Sequence, residues 1–397
     1  MPNSLVDLVV SGGRVVDPSQ GIDEPLDVAV HGGRVVELGP RLDARGRIVI
    51  DASGLLVTPG LVDLHTHVYY GGTWSGVSAH DCGQQGTTTF VDAGSSGAGN
   101  FQGFLEFVVR PSTVRILAFL NISFAGLIGA LGRVDIPEAG DVRLLNVAEA
   151  VKVGRRHKDV IRGIKVRLGR FGSGVLGTTA LQLALEAAEL LGLPVMAHID
   201  DPPPRVEEVL QLLRPGDVLT HAFRRPPNAL VTREGRLKDE AAEARARGVR
   251  FDIGHGFQML SLATARRLIE QGFPPDTIST DIYRVSLQRP DVTLPHILSK
   301  FLALGMSLPD VIRAATETPA EVLGLAGHLG TLAVGAVGDL AIFRLRDGLF
   351  EFQGVPEAVA TEDWPSPSEE RVSGTNLLEP VETVVGGKRV PKHPAQA

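Results

Sequence analysis

Two imidazoles stand two residues apart in GLVDLHTHVYYGG, residues 60–72. If this apolar run is a strand, His65 and His67 share one face, with Asp63 below them on that face. An isolated pair of this kind is more often two loop histidines bonded to backbone, since histidine is commonly half-buried and paired. More imidazoles follow, however: His198 in VMAHID and His221 in VLTHAF, and then Asp281 in ISTDIY. Imidazole nitrogen and carboxylate oxygen suit zinc or a similar divalent ion. Asp281 has a competing reading as a helix N-cap or salt-bridge partner. Lys165, in IRGIKVR, is the odd residue, because a buried ammonium is expensive unless it snorkels or meets an acid. Beside two metal ions the neutral amine would be favoured and could react with carbon dioxide. The resulting carbamate is a two-oxygen anionic ligand able to bridge both ions.

These residues need elements that bring them together. Short apolar strands recur through the middle of the chain: LVDLHTH, TTTFVDA, RILAFLNIS, IRGIKVR, PVMAHID, DVLTHAF, VRFDIGH and TISTDIY. Amphipathic segments such as TTALQLALEAAELLG, RVEEVLQLLRPG and SLATARRLIEQG lie between several of them. Apolar strands alternating with such helices predict parallel strands covered by helices. Eight units in about 270 residues favour a (β/α)₈ TIM-like barrel over an open sheet. Chemistry in that fold sits at the C-terminal ends of the strands, where the four histidines and Asp281 fall. The chain ends read differently. LVDLVVSGGRVVD and PLDVAVHGGRVVELG near the start share their valine-rich, glycine-punctuated texture with VGDLAIFRLRDGLFEFQ and VETVVGGKRVPKH. Both ends therefore predict one small antiparallel β domain, a β-sandwich of residues 1–57 with 328–390, around a barrel of residues 58–327.

Bulk properties narrow the function classes. A formal net charge of -7 over 397 residues leaves no basic stripe for nucleic acid and no polybasic membrane patch. A lone cysteine, Cys82, excludes an internal disulfide framework and suggests a reducing, cytoplasmic setting. The start MPNSLVDLVVSGG lacks a signal-peptide pattern, and no apolar run reads as a membrane span. Cys82 itself is expected to pack on the first barrel helix. EDWPSPSEERVSG, residues 362–374, reads as an exposed connection, and KHPAQA as a loose tail. The partner implied is a small molecule; a homo-oligomer is compatible with the sequence, which does not set the number of subunits.

The ordered set DLHTH, Lys165, His198, His221 and Asp281, within a β domain built from both ends, resembles the amidohydrolase superfamily in its binuclear, carboxylated-lysine form. The resemblance covers nearly the whole chain. DAGSSGAGNFQGFLEFVV, GIKVRLG and DIGHG narrow it to the deacetylase-like, dihydroorotase-like metallohydrolases. It implies two divalent ions, zinc being expected. His65 and His67 would bind the first with Asp281, His198 and His221 the second, and carboxylated Lys165 would bridge them. A hydroxide shared by the ions would be the nucleophile, with Asp281 taking its proton and passing it to the leaving group. His255, in DIGHG, would contact the substrate carbonyl or carboxylate, although a plain loop histidine competes with that role. Ser95, Ser96 and Asn100 lie in GSSGAGN, whose backbone could receive an anion. Tyr69, Arg170, Arg224 and Tyr283 sit near strand ends and are further candidates for an acid substrate.

One departure bears on the reaction. Dihydroorotases typically carry an arginine two residues after the histidine pair, and HTHVYY offers Tyr69 there. The resemblance thus implies a hydrolase cleaving the amide or ester of a small N-acetyl or O-acetyl acid. The alternative is a cyclic amidase of the hydantoinase or dihydroorotase-like kind. Two non-enzyme readings compete: a closed metal site that stiffens a scaffold, and an inactive barrel serving as an assembly subunit. An exchangeable metal-bound water or hydrolytic turnover separates them from an enzyme.

Overall fold

The computed structural model describes residues 5–82, 85–128, 136–289, 291–355 and 368–390. The first five strands are β1 (Val6–Asp17), β2 (Ile22–His31), β3 (Arg34–Gly39), β4 (Gly46–Asp51) and β5 (Leu56–Pro59). The middle of the chain supplies β6 (Leu61–Thr66), β7 (Thr87–Gly97), β8 (Arg115–Asn121) and β9 (Ile161–Leu168). It continues with β10 (Val195–Ile199), β11 (Val218–Thr220) and β12 (Arg250–Phe251). The C-terminal part adds β13 (Leu340–Gln353), β14 (Arg371–Val385) and β15 (Lys388–Arg389).

Strands from both ends form one mixed sheet in the order β15-β14-β13-β5-β1-β2-β3, with β4 also beside β1. The sheet is not wholly antiparallel. β1 is interrupted by a register shift between Val10 and Gly13, where Gly12 adopts φ +75°. Before the shift β1 pairs in parallel with β4, and after it in parallel with β5. A bulge of this kind bends and twists a strand, so one strand can serve two partners. The sheet surrounds its own apolar cluster of Leu8, Val10, Val28, Val30, Val57, Leu340 and Ile342. Arg371–Gly374, expected in a connection, are part of β14. Residues 362–367 of that stretch, and the KHPAQA tail, lie outside the described residues.

The central strands form a parallel sheet ordered β6 to β12, one after another. The eighth predicted strand closes the curl without a continuous ladder. Its residues join both neighbours through the single bridges Asp252↔Thr277 and Thr66↔Ile282. Side chains take over where the ladder stops: Asp63 accepts from the Thr280 amide and hydroxyl, at 2.9 and 2.6 Å. Thr277 and Ser279 likewise donate to Asp252, at 2.7 and 2.8 Å. Helices cover the outside. The helix Thr179–Leu191 buries Ala180, Leu181, Ala184, Ala187 and Ala188, and ends on Gly192 in the left-handed region. Among the described residues no helix is long and apolar enough to cross a membrane. Cys82 is buried at the end of the four-residue helix Ala79–Cys82.

Inside the barrel, Val62, Leu64, Val91, Phe119, Met196 and Val218 pack as a plug, which leaves open space at the other end of the strands. This packing revises the expected phase of β6. Strict alternation would turn His65 away from Val62 and Leu64. The β6–β7 register breaks between Asp63 and Thr66 instead. Asp63 turns to the neighbouring segment at Thr280, while His65 and His67 still face the interior.

Candidate active site

Side chains from β6, β9, β10, β11 and the segment after Thr280 meet at the C-terminal end of the barrel. His65 Nε2 and His67 Nε2 approach Asp281 Oδ1 at 3.4 and 3.1 Å, and His221 Nε2 lies 3.9 Å from Asp281 Oδ2. Lys165 Nζ is 3.3 Å from His65 Nε2. The His198 and His221 ring centroids are 4.5 Å apart. His221 and Asp281 both hold positive φ, 60° and 47°. Such backbone strain in residues other than glycine persists only where surrounding contacts enforce it, and it concentrates at functional sites.

The second nitrogen of each ring shows how the first is aimed. His221 Nδ1 must donate to the Gly254 carbonyl, 2.6 Å away, so its Nε2 carries a lone pair. Thr220 Oγ1 donates to Asp252 at 2.7 Å and therefore accepts from His65 Nδ1 at 2.8 Å. His65 Nε2 is thereby a lone pair pointed at Lys165 and Asp281. His67 Nδ1 meets Ser95 Oγ at 3.0 Å, and Asp92 fixes that turn by accepting from the Ser95 amide. His198 Nε2 is buried and has no hydrogen-bond partner. Burial keeps three of the rings neutral: His65 and His198 lie well below the usual range and His221 falls to about 3. Burial likewise lowers the Lys165 ammonium to about 7 and raises the Asp63 carboxyl to about 7.

Neutral, fully buried imidazoles with convergent lone pairs, one orphaned ring nitrogen and a carboxylate between them fit a divalent cation. His65, His221 and Asp281 form a candidate metal-coordinating cluster, with one donor atom of each within 4.8 Å of the others. The loop after β12 shapes the cluster by lacking side chains. A Cβ at Gly254, φ +49°, would stand 2.7 Å from His221 Nδ1, and one at Gly256, φ +53°, 2.6 Å from Asp281 Oδ2.

Asp252 deserves its own test, because three hydroxyls, those of Thr220, Thr277 and Ser279, donate to it. Asp252→Asn removes an acceptor and lets the Thr220 hydroxyl turn, so the His65 tautomer is no longer imposed. Metal affinity is expected to fall about 10- to 100-fold, as for other residues that orient a ligating histidine. Titration of the metal against a chelator checks this; affinity within twofold of the parent would refute the relay.

The cluster opens into a cavity of about 580 Å³ lined also by Arg167, Phe171, Arg224, Met259 and Tyr283. Two proline-containing loops frame it: Asp200 and Asp201 come from the one after β10, Arg224, Pro226 and Pro227 from the one after β11. Asn228 ties them, donating to Asp200 O and Pro204 O at 2.7 and 3.0 Å. A second depression, of about 540 Å³, lies at the opposite ends of the strands around Leu193, Arg214 and Arg250, away from the histidines.

Other sequence candidates lie elsewhere. His255 is not among the residues lining the cavity; its Nδ1 meets Gly256 O at 2.8 Å and its Nε2 meets Lys300 Nζ at 2.9 Å. Lys300 in turn bonds Asp291 and the Gln353 carbonyl, so His255 is tied to a buried network behind the cavity wall. Tyr69 packs on Phe104 and donates to Asn100 O at 3.2 Å. Asn100 accepts from the Gly97 amide in its own turn and donates to the Ala125 carbonyl after β8, and Ser96 is buried in β7. Arg170 is exposed. Sequence reasoning passed over Arg167 and Asp252, although Arg167 is two residues from Lys165 on one strand, a spacing that signals a shared face.

The comparisons with known proteins agree with this geometry. Residues 259–390 match the model of the amidohydrolase family. The chain is 38% identical over 303 residues to a deacetylase of Brucella anthropi, covering 76% of this chain and 74% of that one. A crystal structure of a dihydroorotase superposes with a TM-score of 0.83 at 31% identity, over 97% of this chain and 98% of that chain. A crystal structure of an adenine deaminase gives a TM-score of 0.86 at 27% identity, over 97% and 99%. The family match, these likenesses along most of the chain, and imidazoles converging at the strand ends lead to one conclusion: the chain belongs to the amidohydrolase superfamily.

Proposed function

We propose that the protein hydrolyses the amide or ester bond of a small acylated acid, an N-acetyl or O-acetyl acid being the leading substrate. The observation carrying this reading is Asp281, whose carboxylate lies within 3.1 to 3.9 Å of three imidazole nitrogens at the edge of the cavity. The deacetylase relative supports the choice of substrate. His65, His67 and Asp281 would hold one divalent ion and His198 and His221 a second, with Lys165 between them; zinc suits these donors. When bound, the ions would supply an activated water and polarise the scissile carbonyl.

The chain's own groups do the rest. Asp281 accepts the proton of the attacking water on a carboxylate oxygen and then donates it to the leaving amine or alkoxide. Lys165 in its neutral form adds carbon dioxide: the Nζ–C bond forms, one proton leaves, and a carbamate anion replaces the amine. Gly94 makes room for the Lys165 side chain, since a Cβ there would lie 2.6 Å from its Cγ. The phenyl ring of Phe171 and the side chains of Met259 and Tyr283 line the cavity and would exclude water from the bound substrate.

Cyclic amide hydrolysis is the second reading, and the dihydroorotase likeness supports it. Tyr69 argues against a ring carboxylate held two residues after the histidine pair, because its hydroxyl is engaged with Asn100 O. The test is acetate release by the zinc- and bicarbonate-reconstituted protein from D and L forms of N-acetyl amino acids and O-acetyl 2-hydroxy acids. Asp281→Asn protein supplies the background. Release by the parent alone is the expected result. Silence across that panel, with ring opening of dihydroorotate or a hydantoin, would replace the first reading by the second.

A further inference from the structure

We propose that Arg167 receives the free carboxylate of the substrate and so makes the site selective for acylated acids over neutral acyl compounds. The inference rests on the hydrolase reading above and names the residue that would select its substrate class.

Arg167 lies on β9 two residues beyond Lys165, so both side chains leave the strand on the interior face. Its Cα pairs in register with that of His198 on β10. Neighbouring strands run about 4.8 Å apart. The guanidinium therefore originates within one strand spacing of a candidate metal ligand. Both residues line one cavity, so an acid held by Arg167 can be as short as an α-acylamino or α-acyloxy acid. Arg167 lines the cavity and is nearly buried, at 6% exposure.

Its bonding leaves donors to spare. Among the described residues its one hydrogen bond runs from Nη1 to Glu138 Oε2, at 3.1 Å. Glu138 is buried too, and thereby fixes the guanidinium plane before any ligand arrives. The remaining N–H groups suit the planar, two-oxygen geometry of a carboxylate, which a lysine would meet only as a point charge. Arg224 is the competing cation. It donates from Nη2 to Asp201 at 3.0 Å; its Nε and Nη1 have no partner, but they are buried in the wall and shut away from a ligand in the cavity. Each cation has one carboxylate beside it, Asp201 at Arg224 and Glu138 at Arg167, at 3.0 and 3.1 Å.

The experiment compares parent, Arg167→Gln and Arg167→Lys, each zinc-loaded, on N-acetylphenylalanine and its uncharged carboxamide. Arg167→Gln is expected to lower kcat/KM on the acid about 100-fold, chiefly through KM, and on the carboxamide less than about threefold. Arg167→Lys should recover part of the loss. Equal losses on both substrates would mean a structural role and overturn the proposal. Calorimetry with 3-phenylpropanoate and 3-phenylpropanamide adds a readout independent of turnover. The acid should bind at least tenfold more weakly to Arg167→Gln, and more weakly to Arg167→Lys than to the parent. Unchanged acid binding in both variants overturns the carboxylate site. If the parent hydrolyses neither substrate yet its acid binding depends on Arg167, the hydrolase reading fails and the carboxylate site stands.

Discussion

Asp281→Asn protein is expected to bind metal nearly as well as its parent and to turn substrate over about 1,000-fold more slowly. The magnitude is that of a lost general acid–base group, typically 10²- to 10⁴-fold. The carboxamide keeps one oxygen near His65 and His67, which now sit 3.4 and 3.1 Å from Asp281 Oδ1, but it cannot carry the proton. The substitution is chosen for the backbone as well. Residue 281 has φ 47°, a region that asparagine tolerates and most side chains do not. Its amide bonds His65 O at 2.7 Å and is unaffected by the exchange. Metal content by elemental analysis and steady-state acetate release measure the two halves. Turnover within tenfold of the parent at equal metal content would remove the proton-transfer role.

Lys165→Ala should lose at least one ion per chain and about 1,000-fold or more in turnover, because the anion expected between the two metal positions disappears. Short carboxylic acids such as acetate or propionate should restore part of both by supplying two oxygens at that place. Parent protein stripped of metal should reload fully only with bicarbonate present. Stability separates this outcome from misfolding. Lys165 is completely buried, and its nitrogen's bond to His65 Nε2 is long, at 3.3 Å. Removing this buried amine leaves a cavity but also relieves a desolvation cost, so the metal-free variant should melt within about 5 °C of the metal-free parent. Unchanged metal content and activity would end the bridging role of Lys165. A melting temperature well below the parent's would show that the amine holds the barrel together.

Much of this architecture is written in local pattern. Barrel strands are covered on both faces, so they read as short apolar runs such as RILAFLNIS and PVMAHID, and their number implies a closed curl of sheet. The histidines are conspicuous because each ends such a run. The small sheet is legible as strands from both chain ends, yet its parallel pairs are not. They depend on Gly12 breaking β1 between two partners, a consequence of one dihedral angle.

The site divides along the same line. Strand periodicity tells which residues share a face of one strand, which is why Lys165 stands out and why Arg167 should have. It says nothing about which face meets the axis once a register shift intervenes, as between Asp63 and Thr66. Nor can spacing say where a loop side chain turns. His255 lies between two glycines with positive φ, and that backbone directs its ring to Lys300 while bringing bare glycine against His221 and Asp281. Residue type and order along the chain were enough for the barrel and for the kinds of donor at its mouth, since both follow from short-range periodicity and side-chain chemistry. The tautomers set through Asp252 and Gly254, the seclusion of His255 and the emergence of Arg167 beside His198 arise from contacts between residues far apart in sequence, and only the packed chain decides them.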